Sequence, residues 1–277
     1  MPNGASAKTP RAKRVTAETP SVQSLDRGLL ILETVGKSAT PVTLGDLTGV
    51  LGIDRSNVFR LANTLKRRGF LANPSSGKAY VLGTSVWRLS RKYDWSKMLV
   101  TVAHEHLVSL ARSTNETAHL AMRQGSKALF LDHVGTNHVI AIAGQTGELI
   151  PLYCTSHGKA LLADFDEAAL KALYGNTSLE RLTKRTIVSI GELARVCRQV
   201  QIRGYATDDE EYMDGVRCIA APIRDQDGSM VASIGISVPV ARFPREREKE
   251  DCLIVTAIAR QIGELLGTGA RGPGRPR

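Results

Sequence analysis

Apolar and polar positions alternate with a helical period in the segment "DRSNVFRLANTLKRRGF", residues 54–70. The apolar residues recur at i, i+3, i+4 and i+7, which is the spacing of a helix face packed against a core. They are Val58, Leu61, Ala62 and Leu65. The opposite face holds only cations and short hydrogen-bonding side chains, namely Ser56, Arg60, Asn63, Thr64 and Arg67. The pattern predicts an amphipathic helix whose polar side carries no carboxylate.

The preceding segment, "TLGDLTGVLGI", predicts a second short helix. Thr43 and Asp46 form a capping-box pattern at its start, and Gly52 is placed to end it. Asp54 is then suited to cap the next helix, so that about three residues join the two helices, as in a helix-turn-helix. In that arrangement the helix within residues 54–70 is the recognition helix.

Two flanking segments complete a winged helix-turn-helix. Upstream, "SVQSLDRGLLILETV" predicts a helix against which the pair packs, through Leu25, Leu29, Leu32 and Val35. Downstream, two short apolar runs at residues 70–72 and 79–82 are separated by turn residues, which predicts a hairpin with Lys78 at its tip. A hairpin directly after a recognition helix is a wing.

Basic charge is concentrated in this part of the chain. Residues 1–83 contain 12 Lys and Arg against 5 Asp and Glu, whereas residues 84–270 contain 22 of each. Solvated helices usually mix charge signs, so an all-cationic face favours an anionic partner, and phosphate neutralisation dominates DNA affinity. For this helix considered by itself, the alternative to a DNA-binding face remains an ordinary solvent-exposed face on which the arginines occur by chance. The residues predicted to contact double-stranded DNA are Arg55, Ser56, Asn57, Arg60, Asn63, Thr64, Arg67 and Lys78.

The rest of the chain predicts an α+β domain. Residues 84–116 lack proline and glycine, and they predict one or two consecutive helices. Strand patterns follow in "TAHLAMRQGSKALFLDHV", "HVIAIAG" and "LIPLYCT", and a hairpin is predicted around Asp227 and Gly228, with helices between these segments. Antiparallel hairpins with interspersed helices are typical of the α+β class. No GxGxxG, GxxxxGK[ST] or GxSxG motif occurs, and no cofactor is predicted.

Length and composition indicate a globular chain of two domains, with 277 residues, 42% of them hydrophobic and 23% charged. No apolar run of about 18 residues and no signal-like N-terminus occurs, so no membrane partner is predicted and the cytoplasm is the expected location. The four cysteines lie far apart without the spacing of metal ligands, which predicts neither a zinc site nor disulfides.

Several segments, in this order, resemble the IclR family of bacterial transcriptional regulators over roughly residues 22–266. They are "SLDRGLLILE", "RSNVFRLANTL", "RRGFL", "GKALLA" and "RGYATDDEEYMDGVRCIAAPIRD". In the last segment, the family's spacing is matched by Gly204, Asp208, Glu211, Cys218, Ile219, Ala220, Ile223 and Asp225. Arg224 departs from the family pattern, which usually has an aromatic residue or histidine there, and this difference is expected to alter the edge of the pocket.

The resemblance implies an N-terminal winged helix-turn-helix domain, a helical linker and a C-terminal GAF-like α+β effector-binding domain. It also implies a homodimer or homotetramer on palindromic operators. The predicted boundaries are a disordered basic tail at 1–20, the DNA-binding domain at 21–83, the linker at 84–100, the effector-binding domain at 101–267 and a second disordered basic tail at 268–277.

A pocket for a small carboxylic-acid effector is implied by the same resemblance. It is built from the turn in "YCTSHGKALLA", the first acid of "DDEE", the cysteine after it and the final strand; the residues carried over are Ser156, His157, Asp208, Cys218, Gly235 and Ser237. The turn precedes a helix, and the first amides of a helix attract anions. Asp208 would accept a hydrogen bond from a ligand hydroxyl and Ser237 would donate one. An aromatic or sugar acid and glyoxylate or pyruvate all remain candidates.

These features predict a DNA-binding repressor or activator of a catabolic operon, controlled by the acid and without catalytic activity. One alternative is a Cys/His enzyme or a thiol redox sensor that uses Cys154 or Cys218 with His157. It leaves the basic winged module unexplained, and the sequence shows no positive surroundings that would activate a thiol. A DNA architectural protein without a ligand is the other alternative.

Overall fold

The chain folds as two units that divide between Tyr93 and Asp94. The computed structural model describes residues 22–74, 77–91, 94–136, 138–139, 141–142, 144–175 and 178–267. The tails predicted at residues 1–20 and 268–277 lie outside these ranges.

The first unit contains, within the described residues, four helices and one hairpin. The helices are α1 (Gln23–Lys37), α2 (Leu44–Leu51), α3 (Arg55–Arg67) and α4 (Thr84–Ser90), and the strands are β1 (Leu71–Ala72) and β2 (Val81–Leu82). The strands pair antiparallel, with Leu71 opposite Leu82. The predicted helix-turn-helix and its wing are therefore confirmed.

Local hydrogen bonds explain where the two helices of the motif begin and end. Thr43 and Asp46 form the predicted capping box at the start of α2. Gly52 ends α2 in the left-handed conformation, at φ 62°, which a residue with a side chain rarely adopts. Asp54 caps α3 by accepting from the Asn57 amide at 2.9 Å.

The core of this unit lies between α1, α2 and α3. It contains Ile31, Val35, Leu47, Val58 and Ala62, all buried. The face predicted for α1 was partly wrong, because Leu25 and Leu29 are 62% and 50% exposed. α1 has two apolar faces one residue apart, and the face that contains Ile31 and Val35 is the buried one.

The second unit is built on one antiparallel sheet of six strands within the described residues, in the order β5-β4-β3-β8-β7-β6. The strands are β3 (Thr117–Gln124), β4 (Lys127–Val134), β5 (Leu149–Pro151), β6 (Ala206–Asp209), β7 (Val216–Arg224) and β8 (Met230–Pro239). The long hairpin of β7 and β8 at the centre agrees with the turn predicted at Asp227 and Gly228.

Helices cover both faces of this sheet. They are α5 (Trp95–Thr114), α6 (Ser156–Leu161), α7 (Glu167–Tyr174), α8 (Ile190–Arg203) and α9 (Arg245–Gly267). α5 and α9 share one hydrophobic core with the sheet, and α6, α7 and α8 belong to clusters on the other face. The α+β class is thereby confirmed.

Two predicted segments differ from the structure, and one strand was not predicted. "HVIAIAG" contains no strand in the part of it that is described, and in "LIPLYCT" the strand covers only Leu149–Pro151 before the chain turns into α6. The strand β6 was not predicted, because its acidic residues are unfavourable for strands and only pairing with β7 reveals it.

The predicted linker at residues 84–100 spans the division between the units. α4 belongs to the first unit, whereas α5 begins in the second and buries Leu99 in its core. Among the described helices, none combines the length and the apolar composition that a bilayer crossing requires.

Candidate functional site

The exposed face of α3 carries the residues predicted to contact DNA. Ser56 and Asn57 also serve the helix cap, since the Ser56 hydroxyl donates to Asp54 Oδ1 at 2.8 Å and the Asn57 side chain donates to Oδ2. The Asn57 backbone amide, and then these two side-chain hydrogen bonds, lower the pKa of Asp54 and hold its charge at the helix start. The Thr64 hydroxyl donates to the Arg60 carbonyl oxygen at 2.8 Å. Three of the predicted contacts are thus partly occupied by local structure.

The cations of α3 are different. No carboxylate in the described part of the chain lies within 4.0 Å of a nitrogen of Arg55, Arg60 or Arg67, and the same holds for Lys66. All four are exposed, and so is Lys78 on the wing. The unit therefore presents uncompensated positive charge on the face that a helix-turn-helix turns toward DNA.

In the second unit, a cavity of about 110 Å³ lies between α6 and the sheet. Five predicted effector contacts line it, namely Ser156, His157, Asp208, Cys218 and Ser237. Three of these form a row across the sheet, because Cys218 on β7 is opposite Asp208 on β6 and also opposite Ser237 on β8. Opposite residues in antiparallel strands project to the same face, which explains how positions distant in sequence meet.

Gly235, the sixth predicted contact, does not line the cavity. A Cβ at this position would overlap the Ile219 carbonyl oxygen on the neighbouring strand. The glycine, which is opposite the cavity-lining His119, therefore permits close packing of β8 on β7, and its effector contact stays a prediction. Arg224 also stands apart, because it donates to both oxygens of Asp164, at 2.7 and 2.6 Å, and is not among the described residues that line the cavity.

Asp208 is 3% exposed and holds the loop that follows β6. Its Oδ1 accepts from the Glu211 amide at 2.7 Å and from the Tyr212 amide at 3.4 Å. Burial raises the pKa of Asp208 to about 7, although nearby Lys159 opposes the shift. No described group donates to the second oxygen, Oδ2, of this cavity-lining residue.

A buried ion pair lies beside Asp208, and the sequence pattern did not reveal it. Lys159 Nζ on α6 donates to Glu211 Oε1, and the lysine side chain is 2% exposed. Burial raises the pKa of Glu211, and Lys159 counteracts this effect. Both residues belong to segments quoted for the family resemblance, but their 52-residue separation hid the contact.

Two histidines form one wall of the cavity. His119 on β3 stacks on Phe130 with 4.6 Å between ring centroids, and His157 packs edge-on against His119 at 6.1 Å. Burial lowers the pKa of His119 to about 4 and that of His157 to about 3, so both rings are neutral at pH 7. His119 was missed because a lone histidine within an apolar strand gives no distinct pattern.

Hydrogen-bonding atoms around this cavity remain unsatisfied among the described residues. They are both ring nitrogens of His119, Nε2 of His157, Oγ of Ser156 and Oε2 of Glu211. By contrast, the other ring nitrogen of His157, Nδ1, meets Ser233 Oγ at 2.9 Å. Of the described residues that line the cavity, none is a lysine or arginine.

The thiols do not have the properties of nucleophiles. Burial raises the pKa of the Cys154 thiol to about 12 and also raises the pKa of the Cys218 thiol. Cys218 Sγ lies 3.3 Å from Ser237 Oγ, and His157 contacts Ser233 rather than a cysteine. A thiolate is needed for both nucleophilic attack and redox sensing, so the geometry does not support the Cys/His alternative.

Two family sequence models match the chain. "Bacterial transcriptional regulator IclR C-terminal" matches residues 93–264, and "IclR helix-turn-helix domain" matches residues 24–74. The chain belongs to the IclR family of bacterial transcriptional regulators. The predicted family is thereby confirmed, and residues 24–74 contain the helix-turn-helix domain of a DNA-binding IclR-family regulator.

Named relatives cover almost the whole chain. The HTH-type transcriptional repressor AllR of Salmonella typhimurium is 30% identical over 88% of this chain and 90% of its own length. The transcriptional repressor IclR of Escherichia coli is 30% identical over 90% of this chain and 92% of its own length. Both are repressors of the same two-domain family.

Solved structures share the IclR fold. The IclR of Thermotoga maritima is 28% identical, with a TM-score of 0.58 over 88% of this chain and 99% of that chain. An IclR homologue from Microbacterium hydrocarbonoxydans, solved in complex with 4-hydroxybenzoate, is 20% identical, with a TM-score of 0.57 over 88% of this chain and 98% of that chain. The second likeness shows the fold alone.

Proposed function

We propose that this IclR-family chain is a repressor of a catabolic operon, acting in the cytoplasm as a homodimer or homotetramer on a palindromic operator. A small carboxylic acid entering the cavity of residues 101–267 lowers operator affinity. The repressors AllR and IclR among the relatives support this sign of control. An activator would need the same DNA-binding and effector-binding units, but its effector would favour the DNA-binding geometry.

The observation that carries the effector site is the set of unsatisfied polar atoms around the cavity. A buried polar group without a partner costs about 1–3 kcal/mol, so protein interiors rarely leave several together. Among the residues that line the cavity, such atoms come from α6 and from β3. A ligand that hydrogen-bonds to them would remove this cost.

The cavity favours an acid that also carries a hydroxyl group and a flat apolar part. At about 110 Å³ the cavity is smaller than an engineered cavity of about 150 Å³ that holds benzene, so its volume limits the ligand to a small molecule. Phe130 and Tyr212 supply aromatic walls, and Asp208 Oδ2 can accept from a hydroxyl. Thr155 Oγ1 already accepts from the Gly158 amide at 3.1 Å, which leaves the Ser156 and His157 amides for a carboxylate. The homologue solved with 4-hydroxybenzoate makes phenolic acids the first class to test.

On the DNA side, four of the eight predicted contacts suit one of two roles. Arg60 and Asn63 lie at the centre of the exposed face of α3 and suit base edges, since Arg pairs with guanine and Asn with adenine. Arg67 and Lys78 suit phosphates, which fix position without reading sequence. The other contacts are Arg55, Ser56, Asn57 and Thr64.

The direct test is binding of the full chain to its own upstream DNA across a salt series, with and without 4-hydroxybenzoate, gluconate, pyruvate and glyoxylate. We expect sequence-specific binding with a steep salt dependence, weakened by one class of acid. Sequence-independent binding that none of the acids changes would contradict the proposal.

Amino-acid substitutions test the effector site and the DNA-binding surface independently. Asp208→Asn should keep operator affinity but shift the acid response by at least about tenfold, because hydrogen bonds to charged groups contribute about 1.5–3 kcal/mol. Glu264→Gln, on the exposed side of α9, is the matched control and should respond like the wild type.

Replacing Arg60 and Asn63 together with alanine should abolish sequence preference. Arg67→Ala should mainly reduce the slope of log K against log salt, by about 0.9 for each phosphate that the variant no longer neutralises. Retention of operator preference in the Arg60 and Asn63 double variant would show that α3 is not the recognition helix.

A further inference from the structure

Phe59 is an apolar side chain on the otherwise polar exposed face of α3. It is 51% exposed and does not belong to the hydrophobic core formed by α1, α2 and α3. A single exposed apolar residue is common and needs no explanation by itself. Phe59 differs from such a residue because of the side chains next to it on the helix.

Helical spacing places Phe59 within the surface predicted to read bases. Ser56 precedes it by three residues and Asn63 follows it by four, so the three side chains adjoin along one ridge. Arg60 is the next residue and lies beside the same ridge. A partner that lies along the ridge of Ser56 and Asn63 is therefore next to the Phe59 ring.

The charges around Phe59 restrict which kind of molecule can bind to this face of α3. Arg55 and Lys66 flank it, and neither they nor Arg60 and Arg67 have a carboxylate partner within the described ranges. Two copies of so cationic a face would repel each other. A polyanion such as double-stranded DNA is the complementary partner. Any apolar group of the DNA that Phe59 contacts must be accessible from the major groove.

On the base edges of the major groove, the apolar group is the 5-methyl of thymine, and phenylalanine is among the side chains that contact it. We infer that Phe59 reads a thymine methyl group in each operator half-site, next to the bases contacted by Arg60 and Asn63. This inference rests on the proposed function and makes Phe59 a specificity-determining residue in addition to the eight predicted DNA contacts.

The test begins with selection of a preferred duplex from random DNA by the full wild-type chain. Each thymine of the selected sequence is then replaced by deoxyuridine, which removes only the methyl group. We expect one symmetric pair of positions at which the wild type loses about fourfold affinity per half-site, or about fifteenfold for both, as for one buried methyl group.

Phe59→Ala should bind the thymine and deoxyuridine duplexes equally, with unchanged losses at other positions. This variant should fold, because a half-exposed ring is replaced by a good helix former, and circular dichroism checks it. Leu89→Ala removes an apolar side chain of 62% exposure from α4 of the same unit and should retain the deoxyuridine effect.

Three results would overturn the inference. They are a deoxyuridine loss below twofold at every position in the wild type, an undiminished loss in Phe59→Ala, and a change of oligomeric state in Phe59→Ala without a change in base preference, which would assign the ring to a protein contact. Failure to select any sequence would instead refute the proposed function itself, and this inference with it.

Discussion

The raised pKa of Asp208 predicts that Asp208→Asn stabilises the second unit, and that the gain increases with pH. The unfolded carboxyl group ionises near pH 3.8, whereas the folded one ionises near pH 7 because it is buried. Between these values the folded state binds more protons, so its stability falls as pH rises, by about 1.4 kcal/mol per pH unit. The contribution is fully present below about pH 4 and is lost by about pH 7.

Asparagine keeps the acceptor for the Glu211 and Tyr212 amides but does not ionise. From pH 5 to pH 8 the stability difference between variant and wild type should therefore grow by about 3 kcal/mol. In a unit of this size that corresponds to roughly 6–12 °C in Tm. Titrating groups remote from Asp208 are common to both proteins and cancel in the comparison at each pH.

Thermal or urea unfolding of both proteins at half-unit intervals of pH measures the effect. Glu264→Gln, which removes an exposed acid, should follow the wild-type curve in parallel. A difference between Asp208→Asn and wild type that stays constant from pH 5 to pH 8 would refute the assignment of a buried, late-ionising carboxyl group.

Three further predictions concern single contacts. Lys159→Met should destabilise the second unit by about 3–5 kcal/mol in urea unfolding, because it leaves the buried Glu211 carboxylate without its cation, and a Lys159→Met, Glu211→Leu double variant should recover most of the loss. Asp54→Ala removes the cap of α3 and should cost about 1 kcal/mol of first-unit stability, measured by circular dichroism, whereas Asp54→Asn should cost less. Gly235→Ser should destabilise by about 1–3 kcal/mol, rather than add a ligand contact, because its Cβ overlaps the Ile219 carbonyl oxygen; an undiminished Tm would contradict this.

The first unit was predictable because its determinants are local. A capping box, a left-handed glycine and a second cap lie within a dozen residues of one another, between Thr43 and Asp54. Each acts through hydrogen bonds to nearby amides, so sequence spacing alone specifies it. The face of α1 was predicted less well, because two adjacent apolar stripes satisfy the same spacing and only packing decides between them.

The cavity was predictable only where the family resemblance supplied residues. The row of Asp208, Cys218 and Ser237 depends on strand register, and the spacing of one chain does not determine that register. Lys159 and His119 were missed for a related reason, since their chemistry arises from burial and from partners distant in sequence. Gly235 is a position for which the resemblance implied a ligand contact and the structure adds a packing role, because the missing side chain lets β8 approach β7 closely.

The unsatisfied atoms of the cavity also limit how much an effector's binding free energy can differ between two geometries of the assembly. A hundredfold preference for one geometry of the assembly requires about 2.7 kcal/mol of differential binding. A hydrogen bond contributes about 0.5–1.5 kcal/mol net, so two or three bonds formed in only one geometry suffice. The unsatisfied atoms of Ser156 and His157 belong to α6 and those of His119 belong to the sheet, so a ligand bonded to both elements would be sensitive to their relative placement. Under the proposed function, a small acid can therefore shift the population only if its hydrogen bonds in the cavity differ between the DNA-binding and released forms.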